Sequence, residues 1–205
     1  MFIYPNKHKE EGLSHNPFKA IVSPRPIGWI STCCSDGTLN IAPYSFFNAV
    51  SEQPPMVMFC SAPKKEKSND KDSLTNIKET GEFVVNIVSY ALRDKMNISS
   101  KNYHKGVSEF EMADIDLAPS QTVKVPHVKF APASLECNLW QIVELPPRSD
   151  NLSTSMILGF VTGINLDESI IKDGKIDVTI YKPISRLGYS DYAKITELFS
   201  MPRPE

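Results

Sequence analysis

Hydrophobic residues along this chain fall mostly in short runs separated by turn formers, a pattern of strands more than of helices. Runs suited to strands occupy 18–23, 26–33, 38–48, 55–61, 82–88, 134–145, 155–166 and 176–180, bounded by glycine, proline and small polar residues. Phe83-Val-Val-Asn-Ile-Val88 and Met156-Ile-Leu-Gly-Phe-Val161 are continuous apolar runs, as expected for strands buried on both faces. Two segments follow the helical period instead. Over 68–80, Leu74 and Ile77 share a face, Ser68, Asn69 or Asp70 can cap the start, and Gly81 ends the helix. Over 90–99, Leu92 and Met96 lie at i,i+4 and Ser89 is placed to cap. A third short helix is predicted over 190–198, and 101–126 reads as a long polar excursion. Strands without regular β-α-β alternation predict an antiparallel barrel or sandwich. No repeat or linker interrupts the pattern, so residues 1–205 read as a single domain.

Composition removes function classes without choosing one. With 41% hydrophobic and 22% charged residues, the chain reads as an ordinary soluble globular protein. Its formal net charge of −2 offers no field for nucleic acid or anionic lipid. The basic cluster Lys64-Lys65-Glu66-Lys67 is interrupted by an acid and reads as a solvated loop. No apolar run approaches the roughly 18 residues of a membrane span. The N-terminus, with Asn6, Lys7, His8 and two glutamates by position 11, lacks a signal-peptide core, so a cytoplasmic location is expected. Cys33, Cys34, Cys60 and Cys137 form no Cys-x-x-Cys pair and read as buried free thiols. His8, His15, His104 and His127 show no metal-ligand spacing. Phosphate-cradling glycine motifs and the serine-hydrolase elbow are absent.

Chemistry concentrates in residues 23–48. The run Ile27 to Ile30 ends in two hydroxyls, Ser31 and Thr32, and Ser35-Asp36-Gly37 reverses the chain into a second extended run. That run finishes in Ala42-Pro-Tyr-Ser-Phe-Phe-Asn48. Pro43 has no N–H, so a strand breaking there must leave nearby backbone donors and acceptors outside the ladder. Such groups beside aromatic walls suit a flat ring with a polar edge.

The stretches Pro24-Arg-Pro-Ile-Gly-Trp-Ile-Ser-Thr32 and Asn40-Ile-Ala-Pro-Tyr-Ser-Phe-Phe-Asn48 resemble the flavin reductase-like family of FMN-binding split barrels. Lys71-Asp-Ser73 with Asn76-Ile77, Glu82-Phe-Val-Val-Asn86, Ser108-Glu-Phe-Glu111 and Leu135-Glu-Cys137 continue the match. So do Arg186-Leu-Gly188, Asp191-Tyr192 and Met201-Pro-Arg-Pro204, in family order along nearly the whole chain. The resemblance implies a mainly β fold, a six-stranded antiparallel Greek-key split β-barrel with a few peripheral helices. It also implies FMN at a homodimer interface and hydride transfer between NAD(P)H and flavin.

On that resemblance, the edge of the isoalloxazine ring would lie along Ala42 and Pro43 and meet backbone N–H groups around Pro43 to Phe47, the Ser45 hydroxyl and the Asn48 amide. Trp29, Tyr44, Phe46 and Phe47 are available to wall the ring. On a continuous strand Tyr44 and Phe46 share one face and Ser45 and Phe47 the other, so two of the aromatics belong to the core. For the FMN phosphate the candidates are Ser31, Thr32, Ser61, Lys71 and Ser73, the last two at a helix start whose free N–H groups favour a dianion. Ser73 or Asp72 is alternatively a helix cap only, and Arg25 is alternatively half of a structural ion pair. No catalytic acid–base pair is required, because the flavin carries the hard step. Two positions depart from the family pattern. Thr154 or Ser155 stands where many relatives carry a histidine associated with nicotinamide, and Tyr189 follows Gly188 where relatives often have a second glycine. The apolar tail Ile184 to Pro204 must pack on its own barrel or, as the resemblance favours, on a second subunit. The expected function is an NAD(P)H-dependent flavin reductase with a small-molecule acceptor or a partner redox protein. The alternative is a non-enzymatic FMN electron carrier or flavin store.

Overall fold

The computed structural model describes residues 1–63, 71–103, 107–147 and 150–204. A one-turn helix α1 (Phe18–Ile21) precedes β1 (Arg25–Pro26), β2 (Gly28–Cys33), β3 (Leu39–Tyr44), β4 (Phe47–Glu52) and β5 (Pro55–Ser61). Helix α2 (Asp72–Thr80) leads into β6 (Glu82–Ile87), and a 3-10 turn at Tyr90–Leu92 runs into α3 (Arg93–Ser99) and then α4 (Glu109–Met112). Two-residue strands β7 (Leu117–Ala118) and β8 (His127–Val128) pair with each other before the two longest strands, β9 (Ala133–Glu144) and β10 (Ser155–Leu166). A second small ladder, β11 (Ile171–Lys172) with β12 (Lys175–Ile176), is followed by α5 (Val178–Tyr181), β13 (Ile184–Arg186) and β14 (Tyr192–Lys194).

The main sheet is antiparallel, ordered β3-β2-β6-β9-β10-β5-β4. Its two edges, β3 and β4, are consecutive in the chain and separated by Ser45 and Phe46 alone. A flat sheet of this width would hold its edges roughly 29 Å apart at ~4.8 Å per strand, whereas Tyr44 and Phe47 are at most about 11 Å apart along the backbone. The sheet therefore curls until both edges share one core. Tyr44 and Phe47 bury in the same cluster as Ile30, Phe59 and Phe83, with the Tyr44 and Phe59 rings 4.8 Å apart. A second cluster joins Trp29, Ile41 and Ile27 to Met96 of α3 and Phe110 of α4. No helix among the described residues is long and apolar enough to cross a membrane.

Seven strands stand where six were expected, because the run 38–48 is two strands. The bend at Ser45–Phe46 carries the chain from one edge of the sheet to the other and resets the side-chain alternation, so Tyr44 and Phe47 point into one core and Phe46 stays exposed. The hairpin at Asp36-Gly37 forms as predicted, with Cys33 opposite Leu39 and Gly37 at a φ of 90°. Residues 18–23 form a helical turn instead of a strand, since Pro17 is already helical and the Asn16 Oδ1 accepts from the Phe18 N–H at 3.0 Å. Residues 178–181 likewise turn helical because Asp177 caps them through the Thr179 N–H at 2.9 Å. The helix expected over 190–198 is absent: Tyr192–Lys194 pairs with β13, and that tertiary pairing overrides a weak local preference. Ser89 holds the cap position of its turn without a side-chain hydrogen bond, and the expected caps Ser68, Asn69 and Asp70 lie outside the described residues, as do Lys64 to Lys67 and His104. Of the four free thiols only Cys137 is buried.

Phe83, Val84 and Val85 are fully buried on both faces of β6, as the continuous run predicted. The run Met156–Val161 differs. Ile157 and Gly159 are buried while Met156, Leu158 and Phe160 are partly buried, so one face of β10 is only partly covered by its own chain. At Gly159 an added Cβ would lie 2.5 Å from the Phe83 ring, which is itself fixed 5.6 Å from Phe59. Gly159→Ala is expected to cost about 1–3 kcal/mol. Thermal unfolding checks this, and Phe83→Leu in the same chain should recover part of the loss.

The 101–126 excursion holds α4, capped by the Ser108 hydroxyl, and is pinned at its far end by Glu136. This carboxylate is 1% exposed on β9. It accepts from the Gln121 N–H at 2.9 Å, the Thr122 hydroxyl at 2.7 Å, the Thr122 N–H at 2.5 Å and the Asn165 amide at 2.7 Å. Burial pushes its pKa up, but these donors outweigh burial and hold it at about 2.

Candidate functional site

Polar side chains gather where α2 begins. The helix is amphipathic, but its buried face carries Ser73 and Asn76 beside Leu74 and Ile77. These polar groups need partners inside. The Asn76 amide donates to Thr32 Oγ1 at 3.0 Å, and the Asn40 amide of β3 bridges Thr32 Oγ1 at 3.3 Å and Ser73 Oγ at 2.8 Å. Ser73 therefore serves the interior and does not cap the helix. The N-cap residue is Lys71, in an extended conformation, and its Nζ lies 5.3 Å from the Tyr44 ring centroid.

Two hydroxyls in this group lack a well-formed partner among the described residues. Ser61 Oγ, at the end of β5, and the Tyr44 hydroxyl are both buried without a well-formed hydrogen bond. The Tyr44 hydroxyl lies beside Ser73 and Ser61, and burial pushes its pKa up while those two hydroxyls oppose the rise. A buried orphaned hydroxyl costs about 1–3 kcal/mol. Two of them, with a lysine and the positive end of a helix, form a place for an anion with acceptor oxygens.

Thr32, Ser61, Lys71 and Ser73 are thus brought together, with Tyr44 beside them. Ser31 points to the opposite face of β2, where its hydroxyl donates to the Pro126 carbonyl at 2.9 Å and accepts from the Asn86 amide at 3.1 Å. Trp29, on the same face as Ser31, is fully buried, its indole N–H donating to Ser99 Oγ at 2.9 Å. Ala42, Pro43 and Ser45 are half-buried along the edge of the sheet, Phe46 is exposed, Phe47 is in the core, and Asn48 Oδ1 accepts from the Ala49 N–H at 2.9 Å. As an edge strand, β3 has one partner and presents alternate backbone groups outward. Asn40 and Asn76 were missed as members of the site. Their signal was polarity on positions that the periodicity assigns to a buried face.

Arg25 forms no ion pair among the described residues. Its guanidinium instead donates to the carbonyls of Lys19, Val22 and Leu187, stitching α1 and the end of β13 onto β1. Ser155 is buried, with its hydroxyl donating to Glu144 at 2.6 Å, and the Thr154 carbonyl accepts from the Leu145 N–H at 2.9 Å. Tyr189 takes a φ of 55°, the left-handed conformation that a glycine would adopt freely, and it lines a cavity of about 300 Å³ that also touches Pro43 and Ser45.

Residues 22–177 match the flavin reductase like domain. The fold superposes on nitrilotriacetate monooxygenase component B from Bacillus cereus with a TM-score of 0.87, at 31% identity over 98% of each chain. It also superposes on 2-nitrobenzoate 2-nitroreductase from Pseudomonas fluorescens with a TM-score of 0.79, at 31% identity over 91% of this chain and 88% of the other. An uncharacterized protein of Aquifex aeolicus is 38% identical over 175 residues, which is 85% of this chain and 86% of that one.

Proposed function

The chain belongs to the flavin reductase-like family, and from that premise we propose that it is an FMN-binding oxidoreductase drawing electrons from NADH or NADPH. The observation that carries the reading is the pair of orphaned buried hydroxyls, Ser61 and Tyr44, at the start of α2. A phosphate supplies the acceptor oxygens that these hydroxyls lack, and Lys71 with the first-turn N–H groups supplies opposing charge. The outward backbone groups of β3 and the Ser45 hydroxyl are the polar groups available to the edge of a ring. Bound FMN would contribute hydride acceptance and electron storage. The chain's own share is to bind, to orient the reactants and to keep water from them.

A second reading, a non-enzymatic FMN carrier or flavin store, is favoured by one detail. The place where the resemblance puts a histidine in many relatives is filled by Thr154 or Ser155; the Ser155 hydroxyl is committed to Glu144, and the Thr154 carbonyl to the Leu145 N–H. Anaerobic mixing of the FMN-loaded protein with stoichiometric NADH or NADPH separates the two. Bleaching of the flavin absorbance within minutes is expected, and its absence would leave the carrier. A homodimer is part of the proposal. Leu198, Phe199 and Met201 are 63%, 85% and 81% exposed, and the partly covered face of β10 carries further apolar area that a second copy would bury.

A further inference from the structure

Two guanidinium groups oppose each other across the small sheet. In the β1–β13 ladder Arg25 stands directly opposite Arg186, an arrangement that is unfavourable for like charges. Neither is paired with a carboxylate among the described residues. Arg25 is 6% exposed, and its Nε has no hydrogen-bond partner among the described residues. Burial, and then the Arg186 charge, draw the Arg25 pKa below its ordinary value. Lys19 adds a third cation, its Nζ 5.9 Å from the Phe46 ring centroid, as the Arg25 guanidinium is.

These three cations line the cavity of about 300 Å³ together with Ser45, Tyr189 and Tyr192, and no acid lines it among the described residues. Arg186 and Tyr192, with Met96 and Asn97, also line a second cavity of about 600 Å³. There Arg93 and Lys194 each stack 4.1 Å from the Tyr90 centroid. The one acid in that space, Asp94, lies 3.1 Å from Arg93. Converging positive charge with no built-in counter-ion, in a partly desolvated recess, is a binding potential for an anion.

We propose that the smaller cavity is an oxyanion subsite, taking the phosphate or carboxylate of a small aromatic ligand between Arg186 and Lys19, against the Arg25 charge. An oxyanion there turns a repulsive pair into a bridged one, and guanidinium groups bind carboxylate and phosphate in a two-pronged geometry. Tyr189, in edge contact with His15, and Tyr192, whose ring carries the Arg186 guanidinium 4.5 Å from its centroid, form the aromatic wall for the rest of the ligand. Because Pro43 and Ser45 border the same cavity, the occupant lies against the edge strand. Its role as the redox partner of a flavin there rests on the function proposed above, whereas the anion site itself does not.

Benzoate and phenyl phosphate, with benzamide and phenol as neutral counterparts, are the probes. They are titrated by calorimetry into the full-length protein with and without FMN. At least one anion is expected to bind about tenfold or more tightly than its neutral counterpart, as one charged hydrogen bond would give, and to weaken as salt rises. The tighter of the two anions tells phosphate from carboxylate. Arg186→Gln, which retains an amide donor, should remove that preference, and Lys19→Gln, at an exposed position, should reduce it even if the first variant fails to fold. Equal binding of charged and neutral probes, no binding at millimolar concentration, or an unchanged preference in Lys19→Gln would overturn the site. Anion binding without FMN binding would sink the proposed function and leave the subsite standing; the opposite result would do the reverse.

Discussion

Lys71→Glu is expected to weaken FMN binding by roughly a hundredfold or more. A charge-assisted hydrogen bond contributes about 1.5–3 kcal/mol, and the reversed charge adds repulsion from a dianion at a partly buried position. The position matters as much as the charge. Lys71 is the N-cap residue of α2, its ammonium is near the Tyr44 ring, and the orphaned Ser61 hydroxyl belongs to the same recess. Lys65→Glu, in the neighbouring basic run outside the described residues, removes the same formal charge and should leave binding nearly intact. Equal losses from both would point to a diffuse field and contradict the phosphate assignment. Ser61→Ala gives an independent readout. It should leave the flavin-free protein as stable or slightly more stable, since it removes an unsatisfied buried group, and should still weaken FMN retention. Equilibrium dialysis and thermal unfolding of the same samples measure the two effects separately.

Glu136→Gln is expected to destabilise the fold by roughly 3 kcal/mol or more. Every group that faces the carboxylate is a donor: the Gln121 and Thr122 N–H groups, the Thr122 hydroxyl and the Asn165 amide. A glutamine would turn its own NH₂ toward some of them and leave buried donors unpaired. The pH dependence has a definite sign. The folded pKa of about 2 lies below the ordinary 4.5, so ionised Glu136 contributes its full stability above the unfolded value and loses it as pH falls toward 2. The shift corresponds to roughly 3 kcal/mol at 1.36 kcal/mol per unit. Urea unfolding of both proteins from pH 7 to pH 3 should therefore show midpoints that converge on acidification. A constant separation would mean that the side chain acts by shape and not by charge.

Much of the site was legible from residue order because the relevant signals are local. The hydroxyls at the end of β2, the proline at 43 and the Lys-Asp-Ser opening of α2 are short-range features, and four of the five phosphate candidates converge in space. Ser31 separates from Thr32 for an equally local reason: consecutive strand residues face opposite ways. Other features needed the fold. Asn40 joined the candidate site only when the ladder set β3 beside α2, and Arg25 makes no ion pair among the described residues because three carbonyls converge on it from α1 and from the end of β13, 162 residues away in the last case. The errors at 18–23, 176–180 and 190–198 share a cause. Short segments have weak intrinsic preference, so a single cap or one strand partner decides them.

Read alone, the amino-acid order determined the strand-rich class, the positions of the six longest extended runs and the helix ending at Gly81, since burial periodicity and turn chemistry are written in neighbouring residues. Tertiary structure alone decided that one of those runs is two strands on opposite edges of a curled sheet, and that Ser61 and Tyr44 lie buried without a well-formed hydrogen bond among the described residues. It also decided that two arginines oppose each other over an open recess. These are properties of groups distant in the chain, and only the closure of the backbone on itself brings their charges and hydrogen-bonding needs within range of one another.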